Sequence, residues 1–216
     1  MGEPALNPSV LDVLDELPAR YRAPGLMPSL STIAPYGAER FFARLLEIKR
    51  EKYSGGRFQF QYSLHTTDEK LRDQIIPVKK WNFTRLSSYG EQFYQPGDRK
   101  ITLNFALAQG TPLDAGVLLH YFDPERYLVK ITPLNPTHHA VQNGLNSYID
   151  PLKLPEGETS EAVLALRQAG YQVIVSIGEV EENAIGSNCG QYVLRHVQAQ
   201  AALQNAYSYS LQEYGE

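Results

Sequence analysis

A β–α unit is visible directly in residues 57–76, which have the sequence RFQFQYSLHTTDEKLRDQII. Apolar and polar side chains alternate in its first half, which predicts a half-buried strand over residues 57–64. One face of this strand carries Phe58, Phe60 and Tyr62, and the other carries Gln59, Gln61 and Ser63. Asp68 then precedes a segment with helical spacing, so a helix is predicted over residues 68–76.

The same alternation of strand and helix extends along the chain in both directions. Further strands are predicted at residues 29–33, 100–107, 127–133 and 171–177, and helices at 37–53, 82–94, 112–122 and 159–169. An N-terminal helix is predicted to begin at Pro8 with Asn7 as its cap, and residues 192–216 are predicted to form a helical tail. Repeated β–α units predict parallel strands covered by helices, as in an α/β barrel, a partial barrel or a doubly wound sheet.

The composition is that of one globular domain spanning residues 1–216. Of the 216 residues, 43% are apolar, which is enough to bury a core. The linkers are short except for residues 136–158, a length typical of a lid or a binding loop. No apolar run matches a bilayer span, and the first residues do not resemble a signal peptide. With a single cysteine, Cys189, an internal disulfide framework is excluded, and a cytoplasmic protein with no membrane partner is predicted.

Charge is distributed unevenly along the chain. The net charge is −4, but residues 1–100 carry 15 basic and 12 acidic side chains, whereas residues 101–216 carry 5 and 12. The basic side chains cluster at Arg44, Lys49, Arg50, Lys52 and Arg57, with Lys79 and Lys80 further on. This cluster could meet phosphates of a nucleic acid, and it could equally be the solvated face of a helix.

Polar residues follow the ends of most of the predicted strands. They are Glu3 at the start, Ser31 and Thr32, Ser63 and His65, Asn135, and Cys189. Because α/β barrels build their active sites at this edge, from the loops that follow the strands, we expect these side chains to line one site.

Most of these residues also have a simpler structural interpretation. Ser31 and Ser63 could satisfy the backbone of turns, His65 could precede a helix cap, and Asn135 before Pro136 is an ordinary turn signal.

The remaining candidates are one thiol and a pair of imidazoles. Cys189 lies among glycines and small polar residues, which favours a reactive thiol and an unreactive surface thiol equally. His138 and His139 are adjacent and would point in opposite directions in extended chain, so no metal site is predicted.

Five short motifs, in order along the chain, resemble those of the radical S-adenosylmethionine (SAM) superfamily, in particular its adenine C2 methyltransferases that act on 23S rRNA and tRNA. The matching segments are Met1-Gly2-Glu3-Pro4, Leu30-Ser31-Thr32, Ser63-Leu64-His65 with residues 71–78, Pro133-Leu134-Asn135-Pro136, and Cys189-Gly190-Gln191. The resemblance covers residues 1–191. It implies a partial (β/α) barrel of the radical SAM type, here without its first strands.

The resemblance also implies roles for individual residues. Gly2 and Glu3 would hold the SAM amino group. The SAM carboxylate and ribose would be contacted by Ser31, Ser63 and His65, with Leu64 contributing backbone and Asn135 contacting the ribose or adenine end. Cys189 would be the catalytic residue, which receives a methyl group and passes it to C2 of an adenine in rRNA or tRNA.

The family also uses a 4Fe-4S cluster and an electron donor such as flavodoxin or ferredoxin. Its cluster is held by three cysteines of a Cys-x-x-x-Cys-x-x-Cys motif upstream of the Gly-Glu motif, and this chain contains only Cys189. The chain is therefore expected to be an N-terminally shortened, inactive portion of such an enzyme. The alternatives are a non-catalytic RNA- or nucleotide-binding module, a radical SAM paralogue with another substrate, and an unrelated α/β barrel enzyme for a small metabolite.

Overall fold

The protein is described by a computed structural model that covers residues 2–21, 25–107, 110–133 and 160–175. Within these residues, five parallel strands form one sheet in the order β1-β2-β3-β4-β5. The strands are β1 (Ser29–Thr32), β2 (Gln59–Ser63), β3 (Ile101–Leu107), β4 (Tyr127–Pro133) and β5 (Val173–Val175).

Helices connect the strands and precede the first one. They are α1 (Ser9–Arg20), α2 (Glu39–Lys52), α3 (Glu69–Ile75), α4 (Phe83–Phe93), α5 (Ala115–Tyr121) and α6 (Glu161–Gln168), with a 3-10 turn at Pro4–Leu6. Side chains of Asp68, Asn82, Asp114 and Ser160 accept N–H groups at the starts of α3, α4, α5 and α6. These helices begin slightly later than predicted, because the predicted ranges included the caps.

The sheet is wound in one direction only. Among the five described strands, each is parallel to the next one in sequence and the order does not reverse, whereas a doubly wound sheet has a reversal. Right-handed crossovers between such strands place all connecting helices on the same face of the sheet. The α/β prediction is confirmed, and the strand order is that of a barrel segment rather than of a doubly wound sheet.

The core lies between the sheet and the helices and is rich in aromatic rings. Phe42 of α2 packs 4.5 Å from Trp81 and 5.2 Å from Tyr89, measured between ring centroids. Close approach of α4 to the sheet depends on Gly90, since a Cβ atom there would lie 1.9 Å from the Tyr127 hydroxyl oxygen. In β2 the buried residues alternate with half-buried ones, as its sequence predicts, whereas β3 begins with three consecutive buried residues.

Several predictions concern element ends. α1 begins at Ser9, one residue later than predicted. The Ser9 N–H donates to the Asn7 Oδ1 at 3.2 Å. Gly170 ends the segment after α6 with a φ of +91°, in the left-handed conformation typical of that position. The loop 136–158, the tail 192–216 and the last part of the strand predicted at 171–177 lie outside the described residues. Among the described residues, no helix combines the length and apolar content needed to cross a bilayer.

Candidate functional site

Glu3 is fixed against the carboxyl end of β1. Its Oε1 accepts the Thr32 hydroxyl at 2.5 Å and the Ala5 N–H at 3.1 Å, and its Oε2 accepts the Ile33 N–H at 3.0 Å. Thr32 is only 1% exposed, and its oxygen also accepts the Ala34 N–H at 2.9 Å. The half-buried carboxylate is thus held at the carboxyl end of β1, where the sequence predicted a site.

The Arg72 side chain binds the backbone carbonyl of Ile33, the residue whose N–H donates to Glu3. The Arg72 guanidinium is 2% exposed and donates to the carbonyls of Ile33 at 3.2 Å and Trp81 at 2.8 Å. Burial lowers the pKa of Arg72 to about 10, so it stays charged at neutral pH, although its Nε–H finds no acceptor within the described part of the chain. Ile33 is therefore clamped between a carboxylate on its N–H and a guanidinium on its carbonyl.

The sheet face opposite the helices is polar. Gln61 Nε2 donates to the Ser31 hydroxyl at 2.8 Å, and the Gln59 Nε2 donates to the Thr102 hydroxyl at 2.9 Å. Ser63 is in register with Asn104, whose Oδ1 accepts the Thr132 hydroxyl at 3.1 Å.

This polarity departs from the usual pattern of parallel sheets. Parallel sheets normally have both faces covered by apolar contacts. A polar, partly exposed second face that ends at Glu3 and Ser63 is therefore suited to hold a polar ligand.

His65 follows β2 in a strained backbone conformation. Its φ is +67°, uncommon for a residue with a side chain, and its backbone N–H donates to the Asn104 carbonyl at 3.3 Å. Its Nδ1 accepts the Ala106 N–H at 3.2 Å. Burial, and to a lesser degree the charge of Arg72, lowers the pKa of His65 to about 4. The ring is thus neutral at pH 7, and its proton resides on Nε2, which can act as a donor.

Four of the predicted site residues are brought to one edge by this arrangement. Ser31 belongs to β1, and Glu3 lies in the segment that packs on β1. Ser63 is the last residue of the neighbouring strand β2, and His65 follows it. Leu64 is buried, and its N–H donates to the Asn104 carbonyl at 2.9 Å, so it serves the backbone of this edge. Gly2 is exposed beside Glu3. Asn135, Cys189, His138 and His139 lie outside the described residues.

Sequence reasoning missed several groups of the site. Gln61 was placed correctly on the polar face of β2 but was not recognised as the hydrogen-bond donor to Ser31, and Asn104, in register with Ser63, was not singled out. Arg72 was noted only as part of a motif, because its helical position gives no sign of burial. Among the described residues, no group of three His, Cys, Asp or Glu side chains could hold a metal ion.

The basic cluster around α2 is not one exposed patch. Lys49 is buried and forms an ion pair with Asp98, and it also donates to the Phe93 carbonyl at 3.0 Å. Arg44 and Lys52 both pair with Asp15. The acids neutralise much of this surface, which favours the structural interpretation of the α2 cluster.

Sequence comparison finds relatives over most of the chain. A probable dual-specificity RNA methyltransferase RlmN of Treponema denticola is 26% identical over 196 residues, which is 88% of this chain and 51% of that protein. The protein of the same name from a Synechococcus species is 25% identical over 197 residues, 88% of this chain and 53% of that protein. The Corynebacterium efficiens protein of that name is 33% identical over 82 residues, 35% of this chain.

The chain spans about half the length of the curated relatives that it matches over 88% of its own length. No family model matches it. Among solved structures, a radical SAM methyltransferase from Sphaerobacter thermophilus has a TM-score of 0.49 and 21% identity, and covers 76% of this chain and 43% of its own. The sequence relatives confirm the resemblance that the five motifs predicted.

Proposed function

The chain is a relative of the RlmN-type RNA methyltransferases, and we propose that it forms the SAM-binding portion of a radical SAM enzyme that methylates RNA. The observation that carries this proposal is the convergence of Glu3, Ser31, Ser63 and His65 at the carboxyl ends of β1 and β2. These four residues come from three separate motifs, and the fold of the chain brings them to one edge.

The donor and acceptor groups of this edge fit SAM. Glu3 Oε2 accepts one hydrogen bond from the described residues, so a lone pair remains for the ammonium group of the ligand. The hydroxyls of Ser31 and Ser63 and the His65 Nε2–H provide donors for a carboxylate and a ribose. Gly2 and Leu64 would contribute backbone contacts, and Asn135 would contact the ribose or adenine end. One bound SAM would supply the methyl group, and a second, cleaved with one electron from the cluster of the complete enzyme, would supply a deoxyadenosyl radical.

Cys189 is the proposed catalytic residue. Its sulfur would take up a methyl group and deliver the carbon to C2 of an adenine in rRNA or tRNA. C2 is electron-poor and carries no acidic proton, so nucleophilic attack on a methyl donor is unfavourable there. A carbon radical adds to such an electron-poor position. In the complete enzyme the deoxyadenosyl radical would therefore remove a hydrogen atom from the methyl group on Cys189, and the resulting carbon radical would form the bond to C2.

The chain's own residues do not fit a 4Fe-4S cluster. Its sequence contains one cysteine, which cannot provide a three-cysteine ligand set. We therefore propose that this chain is inactive by itself. The proposed partners are an RNA substrate and an electron donor such as flavodoxin or ferredoxin. Since both are cytoplasmic, a cytoplasmic location is proposed for this protein too.

SAM binding by this chain tests the proposed site. Titration calorimetry should show binding of SAM, and Glu3→Gln should weaken it by roughly 10- to 100-fold, because a charge-assisted hydrogen bond contributes about 1.5–3 kcal/mol. Glu16→Gln is the matched control, since Glu16 is an exposed acid of α1 that pairs with Arg20. A folded chain that binds no SAM, or an equal loss in both variants, contradicts the proposed site.

The catalytic part of the proposal is tested in the protein encoded by the complete gene, purified without oxygen. Iron and sulfide content and turnover of SAM to 5′-deoxyadenosine should both be present. Cys189→Ala should abolish RNA methylation and leave the cluster content unchanged. Methylation by that variant would remove Cys189 from the mechanism, and RNA binding without iron or SAM cleavage would favour a non-catalytic module.

A further inference from the structure

The proposed SAM site at Glu3, Ser31, Ser63 and His65 is here called the SAM edge. Near it lies a cleft of about 470 Å³ whose rim carries an exposed aromatic ring. Its lining comprises Tyr36, Asp73, Pro77, Val78, Lys79 and Lys80. We propose that this cleft, here called the Tyr36 cleft, binds an unpaired nucleobase of the RNA substrate by stacking on Tyr36. The inference rests on the proposed function, because it takes the ligand to be RNA.

The Tyr36 ring is exposed on a rigid scaffold. It is 66% exposed, although the backbone around it is paired with the loop that precedes α4. The Tyr36 N–H donates to the Lys79 carbonyl at 2.8 Å, and the Trp81 N–H donates to the Ala34 carbonyl at 2.9 Å. Because the backbone is fixed, only the two side-chain torsions of Tyr36 would have to be ordered when a base stacks on its ring.

The facing wall of the cleft is also fixed. The Lys80 ammonium pairs with Asp73 Oδ1 at 2.6 Å and donates to the Ile76 carbonyl at 3.0 Å. These contacts close the segment between α3 and Lys80 into a compact loop. The cleft is therefore preformed, and its volume falls within the range of about 300–1,000 Å³ found for small-ligand sites.

The charges around the ring suit a nucleic acid. The Arg85 guanidinium lies 5.9 Å from the Tyr36 ring centroid and 4.6 Å from that of Trp81, and it pairs with Glu39 at 2.9 Å. Lys79 is exposed at the rim. Proteins that bind single-stranded nucleic acids combine aromatic stacking surfaces with cations that face the phosphates, and here Tyr36 supplies the ring and Lys79 the cation.

The position of the cleft favours an RNA substrate over an unrelated ligand. Tyr36 lies three residues after Ile33, whose N–H is bound by Glu3. Three residues of extended chain span at most roughly 10 Å. A base stacked on Tyr36 would therefore lie beside the SAM edge, where a nucleotide flanking the target adenine has to be held.

Binding of a short fluorescein-labelled hairpin RNA with an adenine-rich loop, measured by anisotropy, tests the inference. Tyr36→Ala should weaken binding between about 5-fold and about 100-fold, as loss of one stacked base does, and Tyr36→Phe should retain it. Lys79→Ala should lower the slope of log K against log salt concentration by about 1.

Tyr21→Ala is the matched control. Tyr21 is 61% exposed and follows α1, which runs back to the amino end of β1, at the opposite edge of the sheet. Unchanged binding by Tyr36→Ala, or an equal loss with Tyr21→Ala, overturns the Tyr36 cleft and leaves the proposed function standing. Absence of RNA binding by the wild-type chain overturns the Tyr36 cleft, and the SAM titration shows separately whether the proposed function stands.

Discussion

The Glu3–Thr32 contact can be tested by a double-mutant cycle. Thr32→Val keeps the shape of the side chain but removes the hydroxyl that donates to Glu3 and accepts from Ala34. Ala34 is completely buried, so its N–H would lose its acceptor away from water. A charge-assisted hydrogen bond contributes about 1.5–3 kcal/mol and an unsatisfied buried donor costs about 1–3 kcal/mol. Together these effects should lower the free energy of unfolding of Thr32→Val by about 2.5–6 kcal/mol.

Glu3→Gln supplies the second side of the cycle. The amide oxygen can still accept from Thr32 and Ala5, but the amide NH₂ then faces the Ile33 N–H, which now donates to Oε2 at 3.0 Å. The expected loss is about 1–2 kcal/mol. Because both changes disrupt one network, the double variant should lose at least about 1 kcal/mol less than the sum of the single losses.

Urea unfolding followed by far-ultraviolet circular dichroism measures these free energies. Glu16→Gln combined with Thr32→Val is the control pair, since Glu16 is on the exposed side of α1 and should give additive losses. If Glu3→Gln and Thr32→Val also add to within about 0.5 kcal/mol, the Glu3 carboxylate is not fixed on Thr32. The SAM edge would then lack the preorganised anion on which the proposed function depends.

Three further predictions concern groups away from that network. Gly90→Ala should destabilise the protein by about 1–3 kcal/mol in thermal unfolding, because its methyl group would overlap the Tyr127 hydroxyl, and Tyr127→Phe should restore part of the loss. Lys49→Met should cost about 3 kcal/mol by leaving the buried Asp98 without its cation, and the added change Asp98→Asn should recover part of it. The pKa of His65 is about 4 in the folded state and about 6.5 unfolded, so stability should fall by up to about 3 kcal/mol from pH 6.5 to pH 4, and less in His65→Asn.

The sequence predicted those features that depend on neighbours along the chain. In β2, strict alternation identified both the strand and the side of the sheet that each residue faces. Asp68 was correctly taken as the start of a helix, because its carboxylate accepts N–H groups only two and three residues later. Such contacts are set by the local backbone, so they are visible in the pattern of residues.

Contacts between distant segments were not predictable in the same way. Lys49 belongs to a run of basic residues and was counted with a surface cluster, yet its partner Asp98 lies 49 residues further on. Likewise, the partner of the His65 ring is the Ala106 N–H, which has no sequence signature at all. Only the register between β2 and β3 brings the His65 ring and the Ala106 N–H together.

The buried Arg72 side chain connects the two proposed sites, the SAM edge and the Tyr36 cleft. A buried guanidinium is costly, and here its bonds go to two carbonyls instead of a carboxylate. Those carbonyls belong to Ile33 and Trp81, the two segments whose backbones pair beneath Tyr36. The guanidinium therefore joins the segment held by Glu3 to the segment that walls the Tyr36 cleft. An apolar side chain at position 72 would remove both of these donors, and the SAM edge and the cleft would lose their common support.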